Sequence, residues 1–212
     1  MGLLNDFETF CSNILLDNLE DMKKTAGEIA KKLNKSYYDL DNENELHMYI
    51  VGSVGRKTAI SGSSDLDVLF DLPANIYSKY NAYSDNGQSA LIQDVKNVLK
   101  EKYPNTDIRG DGQVVVIAFN KYTVELVPGF KQADDRFKYP DTHDGGSWKY
   151  TDPLSEQSAC TECENESDGK YYNFCHIIRS WKNHIGIKMG GLLIDTLVYD
   201  FFNENGCFVD DS

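Results

Sequence analysis

The sequence predicts an α+β fold in which a mixed or antiparallel sheet is flanked by helices. Three observations support this prediction: helical periodicity near the N-terminus, two apolar strands around residue 120, and helical periodicity again after residue 170. Apolar residues recur at three- and four-residue steps in amphipathic helices, whereas they alternate in half-buried strands. We therefore expect an α/β domain over 1–150 and the start of a helical lobe over 151–212.

Composition limits the class of protein. The chain has 212 residues, 41% of them hydrophobic, and a formal net charge of −13. This hydrophobic content is enough for a packed core, which argues against global disorder. The negative charge disfavours binding to a nucleic-acid polymer, because such binding depends on Lys and Arg side chains that neutralise phosphates.

Two further features bear on where the protein acts. No apolar run is long enough to span a membrane, and the N-terminus lacks the basic start and apolar core of a secretory signal. We therefore expect no membrane partner. The five cysteines are an odd number, which fits the reducing cytoplasm better than a disulfide framework.

The first expected element is one long amphipathic helix from about Leu3 to Leu33. Its apolar residues recur at helical spacing: Phe7, Phe10, Ile14, Leu15, Leu19, Met22, Ala26 and Ile29. A polar stretch follows, and the apolar run Met48–Val51 then leads into a Gly-Ser turn at Gly52 and Ser53.

The next elements are a strand, a helix and a strand pair. The strand Asp65–Leu72 stops before a proline, and the helix covers about Ser89–Lys102. The strands Gln113–Phe119 and Tyr122–Val127 are separated by Asn120-Lys121. We interpret this dipeptide as a two-residue hairpin turn in which the asparagine supplies the left-handed conformation.

The last third of the chain has two parts. Between residues 131 and 168 the sequence is irregular, rich in glycine and acidic, and we expect little regular structure there. Helical periodicity resumes over Tyr171–His184 and again over Leu192–Phe202. These two segments are expected to be helices of the C-terminal lobe.

Asp65 and Asp67 form the most informative motif of the chain. Side chains alternate across a strand, so both aspartates face the same side. Two carboxylates this close repel each other, and a chain rarely keeps such a pair half-buried without a cation. Hard oxygen ligands suit Mg²⁺ or Mn²⁺, whose usual partner is a nucleotide phosphate. The motif therefore indicates phosphoryl chemistry.

A two-metal site needs a third acid from a neighbouring strand. Glu125 is suitable, because it is an isolated acid inside the apolar strand that the hairpin places beside its partner. The alternative is that Glu125 points to solvent on a one-sided sheet. Asp71 shares the alternation of Asp65 and Asp67, but it lies at the strand end, and we interpret it as a solvated carboxylate.

These residues resemble the polymerase-β-like nucleotidyltransferases. The resemblance rests on Gly52-Ser53, Thr58, the Ser-Asp-x-Asp motif, and Glu125 followed by x-Val-Pro-x-Phe. It is strongest to the cGAS/DncV-like branch, the CD-NTases and oligoadenylate synthetases. Three later segments support it: Trp148 to Pro153, Ile178 to Lys182, and Gly191 to Leu197.

Three positions depart from the family pattern. The third acid is commonly Asp in the family and is Glu125 here, so metal spacing or rate can differ. Arg179 stands where the family has a lysine, which keeps the charge but binds phosphate as a planar fork. Gly191 replaces a serine and removes one hydroxyl near phosphate.

The resemblance implies a template-independent nucleotidyltransferase that makes a cyclic di- or oligonucleotide messenger and releases pyrophosphate. Its implied substrates are the nucleoside triphosphates ATP, GTP, CTP or UTP, and its implied setting is bacterial anti-phage defence of the CBASS type. An effector that binds the product is the implied downstream partner. Asp65, Asp67 and Glu125 are the implied catalytic residues and would hold two Mg²⁺ ions, with Mn²⁺ as a substitute.

The implied nucleotide-binding residues come from three segments. Gly52 and Ser53 would hold the terminal phosphates of the donor, and Lys57 and Thr58 would line its site. Three cations from the C-terminal lobe would close on the phosphates: Arg179, Lys182 and Lys188. For Thr58, capping of a turn is an equally good interpretation.

Two alternative functions remain open at the level of sequence. One is a minimal nucleotidyltransferase that transfers a nucleotide to a protein, an RNA end or a small molecule. The other is a catalytically silent module that senses nucleotides. Retention of Asp65, Asp67 and Glu125 argues against the silent module, since an inactive scaffold has no use for three converging charges.

Two further groups of residues admit more than one interpretation. Cys160, Cys163 and Cys175 resemble a zinc site, but their spacing matches no zinc finger, and partly buried thiols are the alternative. Trp148 and Trp181 are interpreted as packing residues, with base stacking as the alternative.

Overall fold

A computed structural model describes residues 3–41, 43–62 and 65–205. The chain divides into two compact units. The sheet unit contains Glu20–Val51 and Asp65–Leu154, and the helical unit contains the described residues of Met1–Leu19, Gly52–Ser64 and Ser155–Ser212. The observed division therefore differs from the expected one in placing two early segments with the C-terminal helices.

The sheet unit is built on a seven-stranded mixed sheet. The strands are β1 (Met48–Ile50), β2 (Leu66–Asp71), β3 (Asp107–Asp111), β4 (Val114–Ala118), β5 (Thr123–Lys131), β6 (Phe137–Asp141) and β7 (Ser147–Thr151). Five strands lie in the order β1-β2-β5-β4-β3, and β6 pairs with β5 and with β7. The pair β2–β5 is parallel and every other pair is antiparallel, which confirms the predicted fold class.

Three helices belong to the sheet unit: α2 (Leu19–Tyr37), α4 (Ala74–Asn81) and α5 (Gly87–Lys102). One side of α2 is fully buried, as its spacing predicts. Asn86 caps the start of α5 by accepting a hydrogen bond from the Ser89 N–H at 2.9 Å. The core of this unit contains apolar side chains of α2, of α5 and of the central strands: Met22, Ile29, Leu33, Leu66, Val68, Leu91, Val95, Leu99, Val115, Ile117, Val124 and Leu126.

The helical unit contains α1 (Leu3–Asn13), the short α3 (Gly52–Gly55), α6 (Pro153–Glu166), α7 (Tyr171–Ile185) and α8 (Gly191–Asn205). The predicted helices over Tyr171–His184 and Leu192–Phe202 are confirmed as α7 and α8. Their contact face joins α6 in a buried cluster: Cys160, Cys163, Tyr171, Cys175, Ile194, Val198 and Phe202. No helix among the described residues is long and apolar enough to cross a membrane.

The prediction of one helix over Leu3–Leu33 was wrong, because the structure breaks it into α1 and α2. The interruption covers Ile14 to Asn18. There the Ile14 carbonyl accepts a hydrogen bond from the Ser61 N–H at 3.0 Å, and Leu15 forms a β-bridge with Ile60. The apolar spacing continues across the break, so the sequence pattern alone does not reveal it.

The hairpin of β4 and β5 is confirmed, but its two-residue turn was wrong. Ala118 pairs with Thr123, which leaves a four-residue loop over 119–122. Asn120 does not adopt the left-handed conformation. Aromatic contacts hold this loop in its wider form, since the Phe119 ring lies 5.4 Å from the Tyr103 ring and 6.4 Å from the Tyr122 ring.

The expectation of little regular structure over 131–168 was also wrong. This region contains β6, β7 and all of α6. Trp148 of β7 packs against Tyr77 and Phe130, at centroid distances of 5.0 and 5.6 Å, and its indole N–H donates to Asn81. Glycines and acids conceal the two strands because their apolar residues are few, but Phe137 of β6 is fully buried and Trp148 of β7 packs on aromatic neighbours.

Candidate active site

Asp67 and Glu125 lie side by side on neighbouring strands. In the parallel pair β2–β5, Asp67 is the register partner of Glu125, so both side chains leave the same side of the sheet. Leu66 and Val68 point to the other side and are fully buried. Asp65 is exposed and directly precedes β2. We call this side of the sheet, with Asp65, Asp67 and Glu125, the acid face.

The acid face extends to β3 through the same register. Val116 of β4 pairs with Glu125 and also with Arg109 of β3. Burial raises the pKa of Glu125, the negative charges of Asp65 and Asp111 raise it further, and Arg109 opposes them. Glu125 therefore lies in a local surplus of negative charge, which disfavours its ionised form.

The donor set on the acid face suits a divalent ion, since it consists of carboxylate oxygens held in mutual repulsion. The register of Asp67 with Glu125 and the effect of Asp65 on the Glu125 pKa are the observations in favour. Within residues 3–41, 43–62 and 65–205, however, no three His, Cys, Asp or Glu side chains are grouped closely enough to form a ready-made metal site. The tight convergence of the three acids and their role as metal ligands therefore stay predictions.

Asp71 is not the solvated carboxylate that the sequence indicated. It is half-buried, and one of its carboxylate oxygens accepts a hydrogen bond from the Lys131 N–H at 2.8 Å. Burial raises its pKa, and the hydrogen bond from Lys131 opposes that rise. Asp71 is thus occupied in joining the ends of β2 and β5.

Residues 52–60 form the Gly-Ser loop of the helical unit, which starts with the single turn α3. Gly52 has φ of 61°, a left-handed conformation that glycine adopts without strain. Two backbone hydrogen bonds close the loop on itself: Arg56 N–H donates to the Gly52 carbonyl at 3.0 Å, and Thr58 N–H donates to the Ser53 carbonyl at 2.9 Å. Lys57 is exposed and has φ of 60°.

The side chains of the Gly-Ser loop bind a buried carboxylate that sequence reasoning missed. Asp195 of α8 is 2% exposed, and one of its oxygens accepts hydrogen bonds from Arg56 Nε at 2.9 Å and from Thr58 Oγ1 at 2.8 Å. Arg179 of α7 donates to both carboxylate oxygens at 2.7 Å. Glu156 completes the set by accepting from Arg56 at 2.9 Å. We call these five residues the Asp195 network.

The network includes two of the predicted nucleotide-binding residues. Thr58 is fully buried and donates to Asp195. Arg179 is engaged by Asp195, by Thr58 and by the Gly191 carbonyl. Both residues have hydrogen-bond partners inside the protein, and their assignment as nucleotide-binding residues stays a prediction.

The two remaining predicted cations lie near the end of α7. Lys182 lines an apolar pocket of about 390 Å³ between α7 and α8, and Lys188 is exposed in the connecting loop. Trp181 lines the same pocket and is 54% exposed, so it is not buried in the core of the helical unit. The phosphate-binding role of Lys182 and Lys188 stays a prediction.

The three described cysteines near α6 and α7 lie in the apolar cluster of the helical unit. Cys160, Cys163 and Cys175 are buried there, and the Cys160 thiol lies 3.2 Å from the Tyr171 hydroxyl. Burial raises the pKa of Cys160 and of Cys175, which disfavours the thiolate that a metal would need. Cys207 lies outside the described residues.

The mixed sheet has Asp65 directly before β2, Asp67 on β2, and Glu125 in register with Asp67 on β5, and this arrangement is that of a polymerase-β-like nucleotidyltransferase fold. A comparison with protein families agrees. The model of the Second Messenger Oligonucleotide or Dinucleotide Synthetase domain (SMODS) family matches residues 1–164. The chain belongs to this family. The resemblance to the CD-NTases that the sequence motifs indicated is thereby confirmed.

Individual relatives are distant in sequence. A probable cyclic nucleotide synthase of Bacillus cereus (strain VD146) is 23% identical in an alignment of 181 residues that covers 72% of this chain and 55% of that protein. The chain thus spans about half the length of this curated relative.

Solved structures share the fold over most of the chain. A STING-associated CdnE c-di-GMP synthase from Capnocytophaga granulosa aligns with a TM-score of 0.68 and 16% identity, covering 95% of this chain and 65% of that one. CdnC of Escherichia coli MS115-1, in complex with HORMA, aligns with a TM-score of 0.67 and 16% identity, covering 94% and 62%. At such low sequence identity, these structural alignments show a common fold and no more.

Proposed function

We propose that this protein is a template-independent nucleotidyltransferase that joins nucleoside triphosphates into a cyclic di- or oligonucleotide and releases pyrophosphate. The observation that carries the proposal is the register of Asp67 with Glu125, with Asp65 two residues before Asp67, inside a SMODS domain. Burial and then the negative charges of Asp65 and Asp111 raise the pKa of Glu125, as expected where an external cation completes the site.

The residues of the acid face have the role of holding divalent metal. Asp65, Asp67 and Glu125 would bind Mg²⁺, or Mn²⁺ in its place, and bound metal of this kind neutralises phosphate charge and lowers the pKa of an attacking hydroxyl. The protein itself contributes the fixed placement of two carboxylates by the β2–β5 register. Most of the rate in such reactions comes from positioning and from charge stabilisation.

The Gly-Ser loop has the role of holding the donor phosphates. The left-handed Gly52 opens the turn, and the backbone N–H groups of Gly52 and Ser53 with the Ser53 hydroxyl are the proposed phosphate ligands. Lys57 is exposed and offers a further positive charge. Lys182 and Lys188 are proposed to add phosphate contacts from α7 and its following loop.

The proposed setting follows from the family. The Bacillus cereus relative is a probable cyclic nucleotide synthase, and we extend to this chain a role as the source of a messenger in anti-phage defence. The messenger would act through an effector that binds it. The odd number of cysteines supports a reducing, cytoplasmic compartment.

The test is a product assay with purified protein. The protein is incubated with each radiolabelled triphosphate (ATP, GTP, CTP and UTP), singly and mixed, with Mg²⁺ or Mn²⁺, and the products are treated with phosphatase. A labelled product that resists phosphatase supports the cyclic messenger. Label on the protein or on added RNA would instead support a minimal nucleotidyltransferase, and no turnover under any condition would support a nucleotide-sensing module.

A further inference from the structure

We propose that Asp195 is a positioning residue that fixes the Gly-Ser loop in its phosphate-binding form. This inference rests on the proposed function, because the loop is the proposed donor-phosphate site. The first observation is that two loop residues donate to the same oxygen of Asp195, Arg56 Nε at 2.9 Å and Thr58 Oγ1 at 2.8 Å. Asp195 is 139 and 137 residues away from them in the chain.

Asp195 is itself held in place. Arg179 donates to Asp195 through Nε at 3.2 Å and through Nη2 at 2.7 Å to each oxygen. The same guanidinium donates to the Gly191 carbonyl at 3.0 Å, where α8 begins. Because the carboxylate receives donors on both oxygens and is 2% exposed, its position is strongly determined.

The side-chain contacts are transmitted to the proposed phosphate ligands by backbone hydrogen bonds. Arg56, which Asp195 holds, donates its N–H to the Gly52 carbonyl at 3.0 Å. Thr58, which Asp195 also holds, donates its N–H to the Ser53 carbonyl at 2.9 Å. A shift of Asp195 is therefore transmitted to Gly52 through Arg56 and to Ser53 through Thr58.

An independent contact fixes the residue between Arg56 and Thr58. His176 of α7 donates from Nε2 to the Lys57 carbonyl at 3.0 Å, and Lys57 has φ of 60°. A left-handed conformation is unfavourable for a non-glycine residue and persists where the surroundings impose it. Three successive loop residues are thus held from α7 and α8, as expected of a loop whose exact shape matters.

The test compares Asp195→Asn and Thr58→Val with the wild type. Asp195→Asn keeps the size of the side chain but removes the charge and replaces one acceptor oxygen by a donor NH₂. Thr58→Val is nearly isosteric and removes one hydroxyl without changing any charge. The matched control is Asp200→Asn, which removes the same charge from an exposed position of the same helix.

The first readout is hydrogen exchange of the backbone amides without nucleotide. We expect amides of residues 52–60 to exchange at least about tenfold faster in Asp195→Asn and about threefold faster in Thr58→Val. Amides of β2 and β5 should be unchanged, and Asp200→Asn should match the wild type throughout. Unchanged exchange in the loop of both variants would overturn the inference, as would uniformly faster exchange over the whole helical unit in Thr58→Val.

The second readout is steady-state kinetics of triphosphate consumption. We expect KM for the triphosphate to rise at least about tenfold in Asp195→Asn and about threefold in Thr58→Val, with kcat changed less than KM. A fall in kcat with unchanged KM would contradict positioning of the phosphate site. If the wild type consumes no triphosphate, the proposed function fails while hydrogen exchange still decides the structural part. If Asp195→Asn does not fold, Thr58→Val decides both.

Discussion

The acid face and the Asp195 network use carboxylates in opposite ways. Asp195 is surrounded by the donors of Arg56, Thr58 and Arg179, so its charge is compensated within the protein. Glu125 lies among the negative charges of Asp65 and Asp111, which raise its pKa. A carboxylate of the first kind stabilises a particular shape, whereas one of the second kind becomes most favourable when a cation arrives from outside.

The energetic basis of the two regions differs accordingly. A buried ion pair overcomes the desolvation of both charges only when its geometry is good and its remaining polar atoms are satisfied. In the Asp195 network the Arg56 pKa shows this balance: burial lowers it, but the hydrogen bond and charge of Asp195 outweigh burial and raise it overall. At Glu125 of the acid face the balance is the reverse: burial and the negative charges of Asp65 and Asp111 raise the pKa, and the opposing charge of Arg109 does not outweigh them.

The largest expected effect is the loss of activity when Asp67 of the acid face is replaced, without a loss of stability. We expect Asp67→Asn to lower product formation at least about a thousandfold, which corresponds to roughly 4 kcal/mol of activation free energy. Thermal stability should stay unchanged or rise, because the substitution relieves repulsion between carboxylates. Product is measured by chromatography of labelled nucleotides, and the melting temperature by scanning calorimetry.

The control for this prediction is Asp71→Asn, on the same strand and with the same change of charge. Asp71 accepts the Lys131 N–H through an oxygen that asparagine retains, so this variant should keep most of its activity. Substantial activity in Asp67→Asn, or comparable losses in both variants, would mean that the acid face is not the site of the chemistry.

The next prediction compares the loss of stability on replacing Arg179 of the Asp195 network with that on replacing Arg109, which lies beside the acid face. Arg179→Ala removes a buried donor from Asp195 and should lower the free energy of unfolding of the helical unit by about 3 kcal/mol. Arg109 of β3 has a side chain that is 56% exposed, and Arg109→Ala should change stability by no more than about 0.5 kcal/mol.

The two tryptophans allow this comparison to be measured in each unit separately. Trp148 lies in the sheet unit and Trp181 in the helical unit, and the sequence has 2 tryptophans. Urea unfolding followed by fluorescence in Trp148→Phe and Trp181→Phe backgrounds therefore reports one unit at a time. Equal destabilisation by the two arginine substitutions would mean that the Asp195 network depends on Arg179 no more than the sheet unit depends on Arg109.

Sequence reasoning predicted the acid face because its signal is local. Alternation along one strand places Asp65 and Asp67 on one side, and a neighbouring hairpin strand supplies Glu125. It missed the Asp195 network because Arg56 and Asp195 are 139 residues apart, and neither has a local pattern that identifies its partner. An aspartate directly after the apolar residues that begin α8 was the available signal, since buried charges need partners.

The same contrast explains the errors in the fold. The periodicity of α5, α7 and α8 is local, and these helices were predicted within a few residues. The break between α1 and α2 depends on Ile60 and Ser61, which approach from a distant part of the sequence. Local pattern therefore predicted elements and their faces, while contacts between distant residues decided where a helix stopped.

A smaller effect tests the external cation directly. If Mg²⁺ or Mn²⁺ binds the acid face of the folded chain, a concentration of about ten times the dissociation constant should stabilise it by roughly 1.4 kcal/mol, a rise of about 3–5 °C in melting temperature. Asp67→Asn and Glu125→Gln should lose this rise, whereas Arg179→Lys should keep it. EDTA should return the wild type to its metal-free melting temperature. A metal-dependent rise that persists in both acid-face variants would place the ion elsewhere.

The smallest expected effect is a pH dependence of stability without metal. The folded pKa of Glu125 lies above its ordinary value of 4.5, so its repulsive cost is absent below pH 4.5 and grows as the pH rises through the folded pKa. Glu125→Gln should therefore match the wild type near pH 4 and melt about 1–3 °C higher at pH 8. Glu156→Gln in the Asp195 network should have the opposite sign at pH 8, because it removes the ion pair with Arg56. Calorimetry of the three proteins over this pH range measures the contrast, and a Glu125→Gln variant less stable than the wild type at pH 8 would mean that Glu125 is compensated as Asp195 is.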